Sequence, residues 1–202
     1  MDHKVQGGTK PHKFEIYQFK ITLKSITPPI WRRLLVSSEK TLDDLHTIIQ
    51  YTMEWLNHYL YSFEQKDKVY RSPEICTQNG HIHVSRETSI QLLDLNIKPK
   101  ESFLYIYEWG ERWEHEVLVE AIQLTNDFIP YAHCLDGKRA CPPEECGGIE
   151  GYKQLLQSIN HGNPGINEWL PRDFDPEYFD KDLVNQILFD HFGQAYKRIK
   201  FH

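Results

Sequence analysis

Between residues 14 and 24 the chain reads FEIYQFKITLK, and no other stretch restricts the possible folds as much. Tyr17, Phe19, Ile21 and Leu23 project to one side of an extended chain, and Ile16, Gln18, Lys20, Thr22 and Lys24 to the other. Such a strand needs a layer against its apolar face. Pro28-Pro29 interrupts the chain, and Trp31 to Ser37 resumes it as a second strand. A helix follows directly. Thr41 is a good N-cap with Asp44 as its capping-box partner, and Leu42, Leu45, Ile48, Ile49, Thr52 and Met53 share one face. Strand, strand and covering helix thus come from the first fifty residues.

The remaining pattern extends the same architecture. Residues 59–65 have strand composition, Asp67-Lys68 reads as a turn, and Val69-Tyr70 as a return. A short strand is expected at His81-Ile82-His83-Val84 and an apolar turn at 90–95. FLYIYEW, 103–109, reads as a buried strand; Gly110-Glu111-Arg112 turns it into an alternating partner, 113–124, with Trp113, His115, Val117 and Val119 on one face. Helical patterns are expected at 151–159 and from Asp175-Pro176 through Ile199, where Gly193 costs roughly 1 kcal/mol relative to alanine. Residues 166–170 have the pattern of one further turn. This order predicts an α+β domain: a β-grasp-like mixed or antiparallel sheet packed on one helix, with C-terminal helices. Residues 1–13 lack the apolar core of a secretory signal and read as a disordered lead; residues 14–202 read as one domain.

One segment resists this description. YAHCLDGKRACPPEECGGIEGY, 131–152, holds three of the four cysteines, a Pro-Pro pair and four glycines, and reads as a long ordered loop. It also sits in an acidic region: residues 101–150 carry eleven acidic and three basic side chains in a chain of net charge −6. That balance disfavours nonspecific binding to nucleic acid. Basic patches remain at Trp31-Arg32-Arg33 and 197–200. No apolar run is long enough for a membrane helix, and the expected location is the cytoplasm, where thiols stay reduced.

Several blocks resemble one known family. They are Pro29-Ile30-Trp31-Arg32-Arg33, Leu42-Asp43-Asp44-Leu45-His46 continuing to Trp55 and His58, and residues 107–115 (YEWGERWEH). Residues 134–152 with their ACPPEECGG centre and Asp173-Phe174-Asp175-Pro176 complete the set. Together they are similar to the plasmid pRiA4b Orf3-like family, also described as insertion-element passenger, resolvase-like proteins. The resemblance spans roughly residues 14–190 and implies a single α+β domain without an established activity. The resolvase-like label implies a nucleic-acid role, yet no serine set among arginines, as a serine recombinase needs, is visible.

Four constellations could carry chemistry. Cys134, Cys141 and Cys146, with His115, His133 or Cys76 as a fourth ligand, could hold a structural zinc, although no close Cys-x2-Cys pair is present. His81-x-His83-x3-Glu87 is half of a cupin-type metal motif and lacks the other half. Gly147-Gly148-x-x-Gly151 could cradle an anion at a helix start; without a P-loop lysine, and beside glutamates, the glycines serve better as positive-φ and close-packing positions. Finally Trp109, Trp113, Glu111, Glu114 and His115, joined by Glu144 and Glu145, suggest an acidic, aromatic surface suited to a basic partner. The favoured reading is therefore a non-catalytic binding or adaptor domain with a protein partner. The alternatives are a nucleic-acid accessory protein of a mobile element or plasmid, and a metal-dependent hydrolase using the Glu/His/Cys cluster.

Overall fold

A computed structural model describes residues 14–72, 75–78, 81–84, 87–125, 132–161 and 174–193. Nine strands and three α-helices are found among them. Strands β1 (Phe14–Leu23) and β2 (Trp31–Ser37) form the expected antiparallel pair, with the Thr27–Pro28 bond cis in their connection. Helix α1 (Leu42–Met53) starts as its sequence predicts: Asp44 N donates to Thr41 Oγ1 at 3.1 Å, and Thr41 N donates to Asp44 Oδ2 at 2.9 Å. It ends where Glu54 turns left-handed and Trp55 N donates to Gln50 O. Strands β3 (Tyr61–Gln65), β4 (Lys68–Arg71), β5 (Ile75–Gln78) and β6 (His81–Val84) follow, then 3-10 turns at Glu87–Ser89 and Leu92–Leu95. Strands β7 (Ser102–Tyr107) and β8 (Trp113–Thr125) make the second hairpin.

The main sheet has the order β4-β3-β7-β8-β1-β2-β9, and every pairing in it is antiparallel. The α+β expectation holds in this form. The mixed sheet does not: no parallel pair of the kind at the centre of a β-grasp occurs among the described pairings. β5 and β6 pair separately, as a two-stranded sheet.

The 131–152 segment is not one loop. Its first part is strand β9 (His133–Lys138), paired with β2, and its last part opens helix α2 (Gly148–Asn160). HCLDGK carries no alternating apolar pattern, so tertiary pairing rather than propensity makes it a strand. Its outer edge is blocked by a side chain: Asn185 Oδ1 accepts from Cys134 N at 2.7 Å, and Asn185 Nδ2 donates to Cys134 O at 2.9 Å. Asn185 belongs to helix α3 (Lys181–Leu188), which passes into a π-helical turn at Phe189–Gly193. The helix expected to run on to Ile199, the turn at 166–170 and the disordered lead at 1–13 lie wholly or partly outside the described residues.

One face of the main sheet is the core. Tyr17, Phe19, Ile21 and Leu23 are buried there with Val117 and Val119, against Leu45, Ile48 and Ile49 of α1. Arg32 ties this assembly together. It is fully buried, and all five of its N–H groups are used: Nε on Thr52 O, Nη1 on Trp31 O and Lys138 O, Nη2 on Arg139 O and the Cys141 sulfur. Its guanidinium also lies over the Phe179 ring, 4.0 Å from the centroid. One side chain thereby joins β2, the end of α1, the residues after β9 and the approach to α3.

Candidate binding cleft

Three segments distant in sequence meet at the C-terminal end of α1. Residues 53–58 form one wall, residues 140–145 the second, and Phe174, Asp175 and Tyr178 the third, around a cleft of about 820 Å³. The Trp55 indole is part of its lining, anchored by Nε1–H donation to Pro142 O at 2.8 Å and stacked on Tyr107. Pro142 and Pro143 stiffen the second wall. The rim carries Glu54, Glu144, Glu145 and Asp175, and no lysine or arginine is among the described lining residues. Leu56 and Tyr178 stand well out of the fold, 67% and 54% exposed.

The carboxylates of the second wall are positioned by the sheet and by the chain after α1. Glu144 Oε1 accepts from the Tyr107 hydroxyl at 2.6 Å, and its Oε2 accepts from Leu56 N at 2.8 Å. Glu145 Oε1 accepts from the Tyr59 hydroxyl at 2.7 Å. That bond, with the surrounding carboxylates, pushes the Tyr59 phenol up to about 12. Glu111, at the tip of the β7–β8 hairpin, accepts from Gly147 N at 2.9 Å. Gly147 and Gly148 adopt φ of 89° and 68°, and a Cβ on Gly151 would stand 1.8 Å from Cys146 O. The glycines therefore serve the turn and the close packing of α2.

The residues expected to form an acidic, aromatic surface separate into three groups. Glu111, Glu144 and Glu145 lie along the hairpin tip and the loop that docks on it, and Trp109 is 44% exposed at that tip. Trp113 and His115 are no part of any surface, because both are fully buried. Alternation along β8 turns them inward, with their ring centroids 5.9 and 5.3 Å from that of Trp55. Burial lowers the His115 imidazole to about 3, so it is neutral, with Nδ1–H donating to Trp113 O at 3.1 Å. Glu114 faces the opposite side of the sheet, where Lys24 and Arg112 hold its carboxyl below the usual range.

The cysteines do not come together either. Cys134 Sγ donates to Asp136 O beneath β9, Cys141 lies between Arg32 and Met53, and Cys146 Sγ faces Gly148 O. Burial raises their thiols to about 11, 11 and 12 respectively. All three are free, and among the described residues no three His, Cys, Asp or Glu side chains are grouped so as to hold a metal ion. His81 and His83 fall on β6, whose side chains lie outside the described set. No described helix is long and apolar enough to cross a membrane.

The sequence reading missed Glu54, Tyr59, Tyr107 and Tyr178 as site residues. The signal for most of them was the run of blocks on which the family likeness rests, since Trp55, His58, residues 140–145 and Phe174-Asp175 all line this one cleft.

The plasmid pRiA4b ORF-3-like protein family matches residues 15–183. The chain belongs to that family. An uncharacterized protein, y4hQ, from Sinorhizobium fredii (strain NBRC 101917 / NGR234) is 29% identical over 149 residues, which is 71% of this chain and 73% of that one. The crystal structure of a protein of unknown function, MM3350, from Methanosarcina mazei Go1 superposes with a TM-score of 0.70 at 34% identity. The match covers 87% of this chain and 99% of that one. Neither relative has a stated activity.

Proposed function

We propose that this pRiA4b ORF-3-like protein is a non-catalytic binding module whose cleft receives a basic segment of a protein partner in the cytoplasm. The observation that carries this reading is the composition of the cleft lining: four carboxylates, several aromatic and apolar side chains, and no lysine or arginine among the described residues. A lysine or arginine side chain suits such a lining, because its methylenes cover apolar surface while its charge reaches the rim. Phosphates would meet the same carboxylates with repulsion, which disfavours the mobile-element nucleic-acid role. The hydrolase alternative draws no support from the ionisable groups nearby. The thiols are held protonated by burial, and His115 is neutral and enclosed.

The test is direct titration with a labelled nonapeptide that alternates arginine or lysine with leucine, alongside its glutamate counterpart. The basic peptide should bind saturably, more weakly as salt rises, and lose about tenfold in affinity in E54Q/E145Q, where two rim charges go without loss of shape. Equal binding of the acidic peptide, or an unchanged affinity in the double variant, would overturn the proposal.

A further inference from the structure

Residues 54–58 carry most of the first wall of the cleft, and two of them hold a backbone conformation that needs support. Glu54 and Asn57 stand in the left-handed region, at φ of 59° and 58°, where residues other than glycine are uncommon. Four successive N–H groups of this turn each have an acceptor. Trp55 N donates to Gln50 O, Leu56 N to Glu144 Oε2, Asn57 N to Gln50 Oε1 and His58 N to the Tyr107 hydroxyl. Three of those four acceptors are side chains of other elements. Asn57 is set apart in a second way. Met53, Glu54, Trp55, Leu56 and His58 line the cleft, whereas the Asn57 side chain turns to α1, its Oδ1 2.7 Å from His46 Nε2.

Donor and acceptor chemistry closes these contacts into a ring. The Asn57 N–H can only donate, so the Gln50 oxygen faces it at 3.1 Å, and Gln50 Nε2 donates to the Tyr105 hydroxyl at 3.0 Å. The Tyr105 hydroxyl proton then goes to His46 Nδ1, 2.8 Å away, so the imidazole carries its own proton on Nε2 and donates it to Asn57 Oδ1. The opposite tautomer would give the Tyr105 oxygen two donors. It would also strand the hydroxyl proton of a fully buried side chain. Tyr61 stacks on the imidazole with ring centroids 3.5 Å apart and planes 6° from parallel, which fixes its orientation. Burial lowers His46 to about 4, in keeping with a neutral member of the ring. We propose that His46, Gln50, Asn57 and Tyr105 are positioning residues, a closed hydrogen-bond ring that presets the first wall of the cleft for its ligand. This rests on the cleft reading above and names what shapes that site. A wall already fixed in the free protein reduces the ordering cost of binding.

Long-range nitrogen–proton correlation spectra of the imidazoles, together with amide hydrogen exchange across residues 54–58, test the ring in the full chain. At neutral pH His46 should show a bare Nδ1 and a protonated Nε2, and the Leu56, Asn57 and His58 amides should exchange slowly. N57G enters the left-handed region without strain and removes the side-chain amide. It should speed exchange of the Leu56 and His58 amides about tenfold and weaken binding of the arginine–leucine nonapeptide about tenfold. N57D keeps an acceptor for His46 Nε2–H and should exchange as wild type does, a rescue that simple loss of side-chain bulk would not explain. A His46 protonated on Nδ1, exchange in N57G equal to wild type, or exchange in N57D as fast as in N57G overturns the ring. Faster exchange in N57G with unchanged peptide affinity overturns its part in binding. A wild-type protein that binds no basic peptide overturns the cleft reading instead, while the tautomer and the exchange rates judge the ring by themselves.

Discussion

The two sides of the β8 hairpin use the same residue types to opposite ends. On the open face of the sheet, Glu114 and Glu120 each have a cation. Glu120 takes a two-pronged contact from Arg33 at 2.6 and 2.8 Å and a third bond from Gln18, and Glu114 takes Lys24 and Arg112. On the cleft side Glu108, Glu111, Glu144 and Glu145 crowd one another, and their donors are hydroxyls and backbone N–H groups. The pKa directions follow: Glu114 and Glu120 are lowered by their partners, while Glu108 is raised by burial and by its acidic neighbours. A carboxylate paired with a cation of its own chain contributes to stability, whereas one crowded by like charges opposes it.

The largest effect should come from the residue beneath both sides. Arg32→Met removes all five hydrogen bonds of the buried guanidinium and leaves four backbone carbonyls without that donor, so a loss of about 3–5 kcal/mol is expected by urea denaturation. A loss below about 1 kcal/mol would show that the clasp is replaceable and that the two sides are less coupled than drawn. On the paired face, Glu120→Ala should cost about 1 kcal/mol, because the Arg33 pair is half-exposed and screened. On the unpaired side, Glu108→Gln should leave stability unchanged or raise the melting temperature by about 2 °C.

The pH dependence of stability should separate the two sides again. Glu114 and Glu120 have depressed folded values, so their contribution is present above the unfolded value near 4.5 and is lost as pH falls through the folded ones. Glu108 has a raised folded value, so it opposes folding at neutral pH and ceases to do so as pH falls towards 4.5. A shallow gain in stability on acidification to about pH 5, absent in E108Q, should therefore precede the acid loss. Thermal melts from pH 7 to 3 in both proteins check this, and identical profiles would contradict it.

Much of this fold can be read from the chain. The alternation at 14–24 marks the core face of β1, and the Thr41/Asp44 box marks the start of α1 to the residue. The same alternation along β8 already assigned Trp113 and His115 to the apolar side. Treating them as surface residues gave weight to their chemistry over their phase, and the phase prevailed. Strand β9 could not be seen, because HCLDGK is a strand only by pairing with β2 and by the Asn185 contact from 51 residues away. The cysteines, Cys134, Cys141 and Cys146, fall within a thirteen-residue span and suggested one site, yet a strand, a turn and a helix start send their sulfurs into different surroundings. The cleft was legible only as separate blocks. Its walls come from positions near 55, 142 and 175, and nothing local in those segments states that they meet.

If the acidic side of the hairpin receives a cation, its preference should follow the charge of the rim. Reversing two rim charges, with E54K/E145K, tests it most directly through fluorescence titration of the basic and acidic nonapeptides against wild type and variant. The variant should lose affinity for the basic peptide by about a hundredfold and gain measurable affinity for the acidic one. Unchanged preference for the basic peptide in the reversed protein would contradict it.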